Sequence, residues 1–152
     1  MLAAGGRVVL LDFGIARIEQ SPWRGEMISG SPHFMAPEAI RGTVKRGEAH
    51  LVDLYALAIV AYVLFTGCAP FEDDDPIEVL VKQLEMHPPL LAAERPDLPA
   101  PLCAIVQPML AKKSEDRPER IEIVADTLRL IARHRDDDRP GIPARRLPHR
   151  RV

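Results

Sequence analysis

The first residues able to do chemistry are Asp12-Phe13-Gly14, which follow the aliphatic run at 7–11. A carboxylate held where a strand ends can bind magnesium against nucleotide phosphates, and a glycine beside it permits an unusual backbone turn. An ordinary Asp-x-Gly turn uses the same residues, so the triplet decides nothing alone. Asp73-Asp74-Asp75 places three carboxylates in series, but without the spaced glycine and closing glutamate of a calcium loop it reads as a solvated helix cap. The histidines at 33, 50, 87, 134 and 149 show no i, i+4 pairing, which argues against a zinc centre. Cys68 and Cys103 sit in apolar settings without CxxC spacing, the pattern of a reducing cytoplasm rather than of a disulfide framework. Arg145-Arg146 and Arg150-Arg151 could meet phosphate, yet Asp136, Asp137 and Asp138 stand nearby and no aromatics are interleaved; a solvated tail is expected, and no nucleic-acid partner.

These groups need a scaffold. With 152 residues, 47% hydrophobic and a net charge of -2, the chain suits one globular domain with an aliphatic core, and it excludes extended disorder or a strongly basic binder. The start lacks the charged and long apolar regions of an export signal. The run at 7–11 reads as a short strand ended by Gly14. Residues 15–50 hold no sustained period. Residues 54–65 form an unbroken apolar run of 12, short of the about 20 that a bilayer span needs. A buried helix over 51–66, stopped by Gly67, is the expectation, with no membrane segment.

Asp75-Pro76-Ile77-Glu78 looks like a helix start, and Ile77, Leu80, Val81 and Leu84 then fall on one helical face. Prolines at 88, 89, 96, 99 and 101 predict a loop. Leu102, Ile105, Val106, Met109 and Leu110 give another helix, which Pro108 should kink or stop early. A last helix is expected from Pro118, with Ile121, Val124, Ala125, Leu128, Ile131 and Ala132 on its inner side. From Arg133 the composition turns to Arg, Asp and Pro, giving a domain at 1–134 and a flexible tail at 135–152.

Three further motifs follow Asp12-Phe13-Gly14 in order. They are Gly30-Ser31-Pro32-His33-Phe34-Met35-Ala36-Pro37-Glu38, then Asp53-Leu54-Tyr55-Ala56-Leu57 with the closing Thr66-Gly67-Cys68-Ala69-Pro70-Phe71, and finally Leu110-Ala111-Lys112-Lys113-Ser114-Glu115-Asp116-Arg117-Pro118. In that order and spacing the set resembles the C-terminal lobe of serine/threonine protein kinases, particularly the bacterial receptor-type branch. The resemblance implies a mainly α, kinase C-lobe-like subdomain with a short N-terminal strand and no N-lobe. It implies ATP and Mg2+ as cofactors, with Asp12 holding the metal, Phe13 the ring that reports active or inactive states and Gly14 the hinge. Residues 12–38 match the activation segment. There Ser29 is a candidate phosphosite or else a solvated loop serine, and Ser31 matches the position whose hydroxyl approaches the catalytic aspartate. Glu38 and Arg117 match a buried structural ion pair, against the alternative of two exposed charges that never meet. Asp53 matches a buried helix anchor whose donors come from the catalytic loop.

That loop is missing. No glycine-rich phosphate loop, phosphate-binding lysine or His-Arg-Asp catalytic loop precedes Asp12. The chain alone is therefore expected to be incompetent in phosphoryl transfer, its partners being a protein substrate or the missing N-terminal kinase portion. A noncatalytic, cytoplasmic protein-binding scaffold is the alternative. Ala58, His33-Phe34 and Lys113-Ser114 depart from the family's usual glycine, tyrosine and Asp-Pro.

Overall fold

A computed structural model of the chain describes residues 31–137. The expected strand, Asp12, Phe13, Gly14, Ser29 and the tail beyond 137 lie outside the described residues. The described residues contain helices and no strand, the helical kinase-lobe-like architecture expected from the sequence. A 3-10 turn at Pro32–Phe34 leads into α1 (Pro37–Ile40); α2 (Ala49–Thr66), α3 (Pro76–Glu85), α4 (Leu91–Glu94) and α5 (Ala100–Met109) follow. A second 3-10 turn at Ser114–Asp116 precedes α6 (Ile121–Asp137).

The apolar run forms α2, beginning two residues ahead of the expected start. It ends where Gly67 adopts φ 85° and sends its N–H to the Val63 carbonyl at 2.8 Å, a left-handed cap that a residue with a Cβ adopts only under strain. Leu51, Leu54, Tyr55, Ala58, Ile59 and Tyr62 recur on one face and are buried. They form one core with Leu91, Leu102, Cys103, Val106, Met109, Leu110 and Val124, so α2 packs on α5 with α4 and α6 closing the sides. The expected buried helix is buried on one face only: Leu57 and Val60 are exposed, and Leu64 is 75% exposed. By length and hydropathy α2 is comparable to a membrane span, but it is this core that its buried face serves.

Asp75 caps α3, its Oδ1 accepting the Ile77 N–H at 2.8 Å. The inner face of α3 is Val79 and Gln83, with Leu80 and Leu84 half-buried; Ile77, expected inside, is 66% exposed, and Val81 is exposed as well. Both stripes satisfy helical spacing, and the pull of Tyr55 on Gln83 selects the one seen. Asp75→Ala should lower stability by about 1 kcal/mol, the usual worth of an N-cap, in urea unfolding followed by circular dichroism.

The proline-rich stretch is not all loop, since α4 forms inside it. Pro108 lies in the last turn of α5, which stops at Met109. The last helix was expected from Pro118, but residues 118–120 are irregular, so α6 begins at Ile121 and continues to Asp137, past the change of composition at Arg133. Of its expected inner face only Val124 is fully buried; Ile131 is half-buried against the core, and Ile121 and Leu128 are exposed.

Candidate functional site

Pro37 opens α1 and fixes Glu38 in its first turn, while Pro118 holds Arg117 extended just after the second 3-10 turn. The two side chains meet across 79 residues of sequence. Arg117 Nη1 donates to Glu38 Oε1 at 2.6 Å and Nη2 to Oε2 at 2.8 Å, the bidentate fork that a guanidinium offers a carboxylate. Nη1 also donates to the Leu51 carbonyl at 2.7 Å, and Nε to the Ala111 carbonyl at 2.9 Å. The guanidinium carbon lies 4.9 Å from the Tyr55 ring centroid. Arg117 is only 5% exposed and still has partners for its charge and its donors, which is the condition under which a buried cation is tolerable.

The same aromatic ring carries the contact toward Ser31. Tyr55 is fully buried and its hydroxyl donates to Gln83 Oε1. Burial holds the Tyr55 phenol well above its usual range, partly offset by the Arg117 charge, so it stays a donor at physiological pH. Gln83 Nε2 donates in turn to the His33 carbonyl at 2.6 Å. Ser31 is exposed beside this turn, and its side chain makes no cap bond.

Lys112 completes the cluster. Its Nζ donates to the Gln83 carbonyl at 2.7 Å in the last turn of α3 and stands 4.0 Å from the Phe71 ring centroid. Burial, with the Arg117 and Arg41 charges adding to it, pulls the Lys112 ammonium down to about 8. Between that value and the ordinary 10.5 the unfolded chain binds the extra proton, so stability should rise as pH increases from 8 toward 9.5. Urea midpoints across that range should show the rise, and Lys112→Met should flatten it.

Asp53 stands apart from the cluster. Expected as a buried anchor, it is exposed and has no hydrogen-bond partner among the described residues. It shares its side of α2 with Leu57, Val60 and Leu64 at i+4, i+7 and i+11, facing away from the core. The His-Arg-Asp tripeptide at 134–136 falls behind the other motifs, with Gly141 where a catalytic loop carries asparagine.

A sequence model of the protein kinase domain matches residues 1–128. The chain belongs to the bacterial serine/threonine protein kinase family. Among its kinase relatives, the serine/threonine-protein kinase pkn3 of Myxococcus xanthus is 33% identical over 136 residues, which cover 84% of this chain and 24% of that protein. The serine/threonine-protein kinase PkaA of Streptomyces coelicolor is 37% identical over 127 residues, 82% of this chain and 22% of that protein. MasK of Myxococcus xanthus, named a tyrosine-protein kinase, is 38% identical over 127 residues, 81% of this chain and 19% of that protein. The chain thus spans about a quarter or less of these kinases' length.

Of the kinase site residues expected from the sequence, the structure brings Glu38 and Arg117 together, leaves Ser31 at the surface nearby and sets Asp53 on the far side of α2. Sequence reasoning missed Gln83 and Lys112 as members of the cluster. Lys112 lay inside a recognised motif, whereas Gln83 offered only one signal, a polar residue four places after Val79 on an apolar helix. The family departures are accommodated locally. Ala58 is fully buried in α2, and Lys113-Ser114 starts the 3-10 turn, with Ser114 Oγ donating to Glu48 Oε2 at 3.4 Å.

Proposed function

We propose that this chain supplies the C-terminal part of a serine/threonine kinase catalytic domain, and that the complete domain transfers the ATP γ-phosphate to hydroxyls of cytoplasmic protein substrates. The observation that carries this reading is the Glu38–Arg117 clamp seated on Tyr55. It ties the end of the 31–38 segment to the core helix, so a loop that must present a hydroxyl to the reaction is held at a fixed place. Phosphoryl transfer depends on positioning and charge stabilisation, and this chain contributes to the first. Asp12 would hold Mg2+ in the complete site. A single carboxylate, without the phosphate loop, lysine and catalytic-loop asparagine, does not make a magnesium-nucleotide site, so these 152 residues alone neither bind Mg2+-ATP tightly nor turn over.

The upstream portion of such a domain would cover the outer side of α2. Leu57, Val60 and Leu64 give it an apolar stripe, and Asp53 gives it a carboxylate in need of donors. A chimera in which residues 1–134 replace the matching part of PkaA tests the reading. It should phosphorylate a general protein substrate, while the chain alone stays at background. A folded, ATP-binding chimera without transfer would reject it.

The same stripe favours a second reading, a noncatalytic scaffold that docks another protein there. Titration with Mg2+-ATP separates the two when run on the chimera with inactive controls. Transfer that depends on residues 1–134 supports the catalytic reading and disfavours the scaffold.

A further inference from the structure

Gln83 is a side-chain amide with no solvent exposure, in the last turn of α3, and both of its polar ends are engaged by different elements. Its Oε1 accepts from the Tyr55 hydroxyl on α2, and its Nε2 donates to the main-chain carbonyl of His33 at 2.6 Å. Its own main-chain carbonyl accepts from Lys112 Nζ at 2.7 Å, so the backbone that carries it is pinned as well. The turn it reaches has little to hold itself. Pro32–Phe34 is a single 3-10 turn closed by two main-chain bonds, Phe34 N–H to the Ser31 carbonyl at 3.0 Å and Met35 N–H to the Pro32 carbonyl at 3.3 Å. Isolated turns of this length open readily, and Phe34 is itself exposed.

We propose that Gln83 is a positioning residue that latches the main chain of the 31–35 segment to α3 and thereby fixes where the Ser31 hydroxyl stands. The significance of that position for substrate rests on the kinase reading above; the latch itself does not. The chemistry requires an amide. One short side chain must accept from a phenol and donate to a carbonyl within the same dry contact, which neither an apolar residue nor a carboxylate can do. Tyr55 sets the orientation of the amide, since its hydroxyl occupies Oε1 and so turns Nε2 toward His33. The ring of Tyr55 also lies under Arg117, so the latch and the Glu38 clamp share one support on α2.

Amide hydrogen exchange on the full chain, resolved by residue with NMR, tests the latch. In Gln83→Met, which keeps the volume and loses both polar ends, the Phe34 and Met35 amides should exchange about tenfold faster relative to the amides of α5. Gln83→Glu should do the same at a pH where its acid is ionised. As the pH is lowered and the acid protonates, its O–H can donate to the His33 carbonyl, and the excess over wild type should shrink toward zero. Tyr55→Phe, which leaves Gln83 bound to His33 but frees Oε1, should give a smaller local increase and serves if either Gln83 variant fails to fold. Unchanged exchange at Phe34 and Met35, or a rise shared equally by α5, would overturn the latch. The exchange measurement is independent of phosphoryl transfer. An inactive chimera with an intact latch would sink only the functional reading, and an active chimera with no local change in exchange would sink only the latch.

Discussion

Arg117→Met should unfold at a much lower urea concentration than the wild type, with a loss of about 3–5 kcal/mol, the range for one-sided removal of a buried ion pair. Three debts of interaction add up in that variant. Glu38 keeps a carboxylate whose side chain is only 13% exposed and loses both of its charge-assisted bonds. The Leu51 and Ala111 carbonyls each lose a donor, and the Tyr55 ring loses the cation above it. Arg117→Lys recovers little, because an ammonium cannot span both carboxylate oxygens, the Leu51 carbonyl and the Ala111 carbonyl at once. A loss of this size is a large share of the about 5–15 kcal/mol that holds an ordinary domain together. Urea titration followed by far-ultraviolet circular dichroism is the measurement, and a midpoint near that of the wild type would show that the pair is decorative.

Tyr55→Ala is expected to cost about 3–5 kcal/mol, the range seen when a buried aromatic ring is removed. Tyr55 has no exposed surface and sits where α2, the Arg117 guanidinium and α3 converge, so the cavity opens at the centre of the core and not at its edge. The hydroxyl accounts for the smaller part. Tyr55→Phe keeps the ring and strands Gln83 Oε1 in a dry setting, for a loss of about 1–3 kcal/mol. The gap between the two variants in urea unfolding separates the ring's packing from its hydrogen bond. Since Tyr55 and Arg117 touch, losses in a variant carrying both changes should sum to less than the two singles.

What could be read from the amino acids alone was whatever local spacing and punctuation decide. The meeting of Glu38 and Arg117 across 79 residues was implied by the resemblance to the kinase family, in whose motifs each stands beside a proline. Gly67 announced the end of α2, Asp75-Pro76 the start of α3 and Pro108 the end of α5. The harder matters were those settled by a partner elsewhere in the fold. An apolar run such as 54–65 does not reveal which of its sides is left bare, and it is Leu57, Val60 and Leu64 that are exposed. In α3, Ile77 and Val81 compete with Val79 and Gln83 for the inner face. The buried amide wins because Tyr55 and the His33 carbonyl wait for it, a polar preference that hydrophobic spacing does not encode. Asp53 reads as an anchor only if its donors are present. The expected start of α6 at Pro118 is replaced by an irregular stretch, and the helix begins at Ile121.

A double-mutant cycle on Glu38 and Arg117, with Glu38→Gln, Arg117→Met and the pair compared in urea unfolding, tests the central claim most directly. The buried clamp predicts a coupling energy of about 2–3 kcal/mol, so that the second change adds far less than it does alone. Additive losses, with a coupling below about 0.5 kcal/mol as for exposed charges, would contradict the clamp as the organiser of this fold and the functional reading built on it.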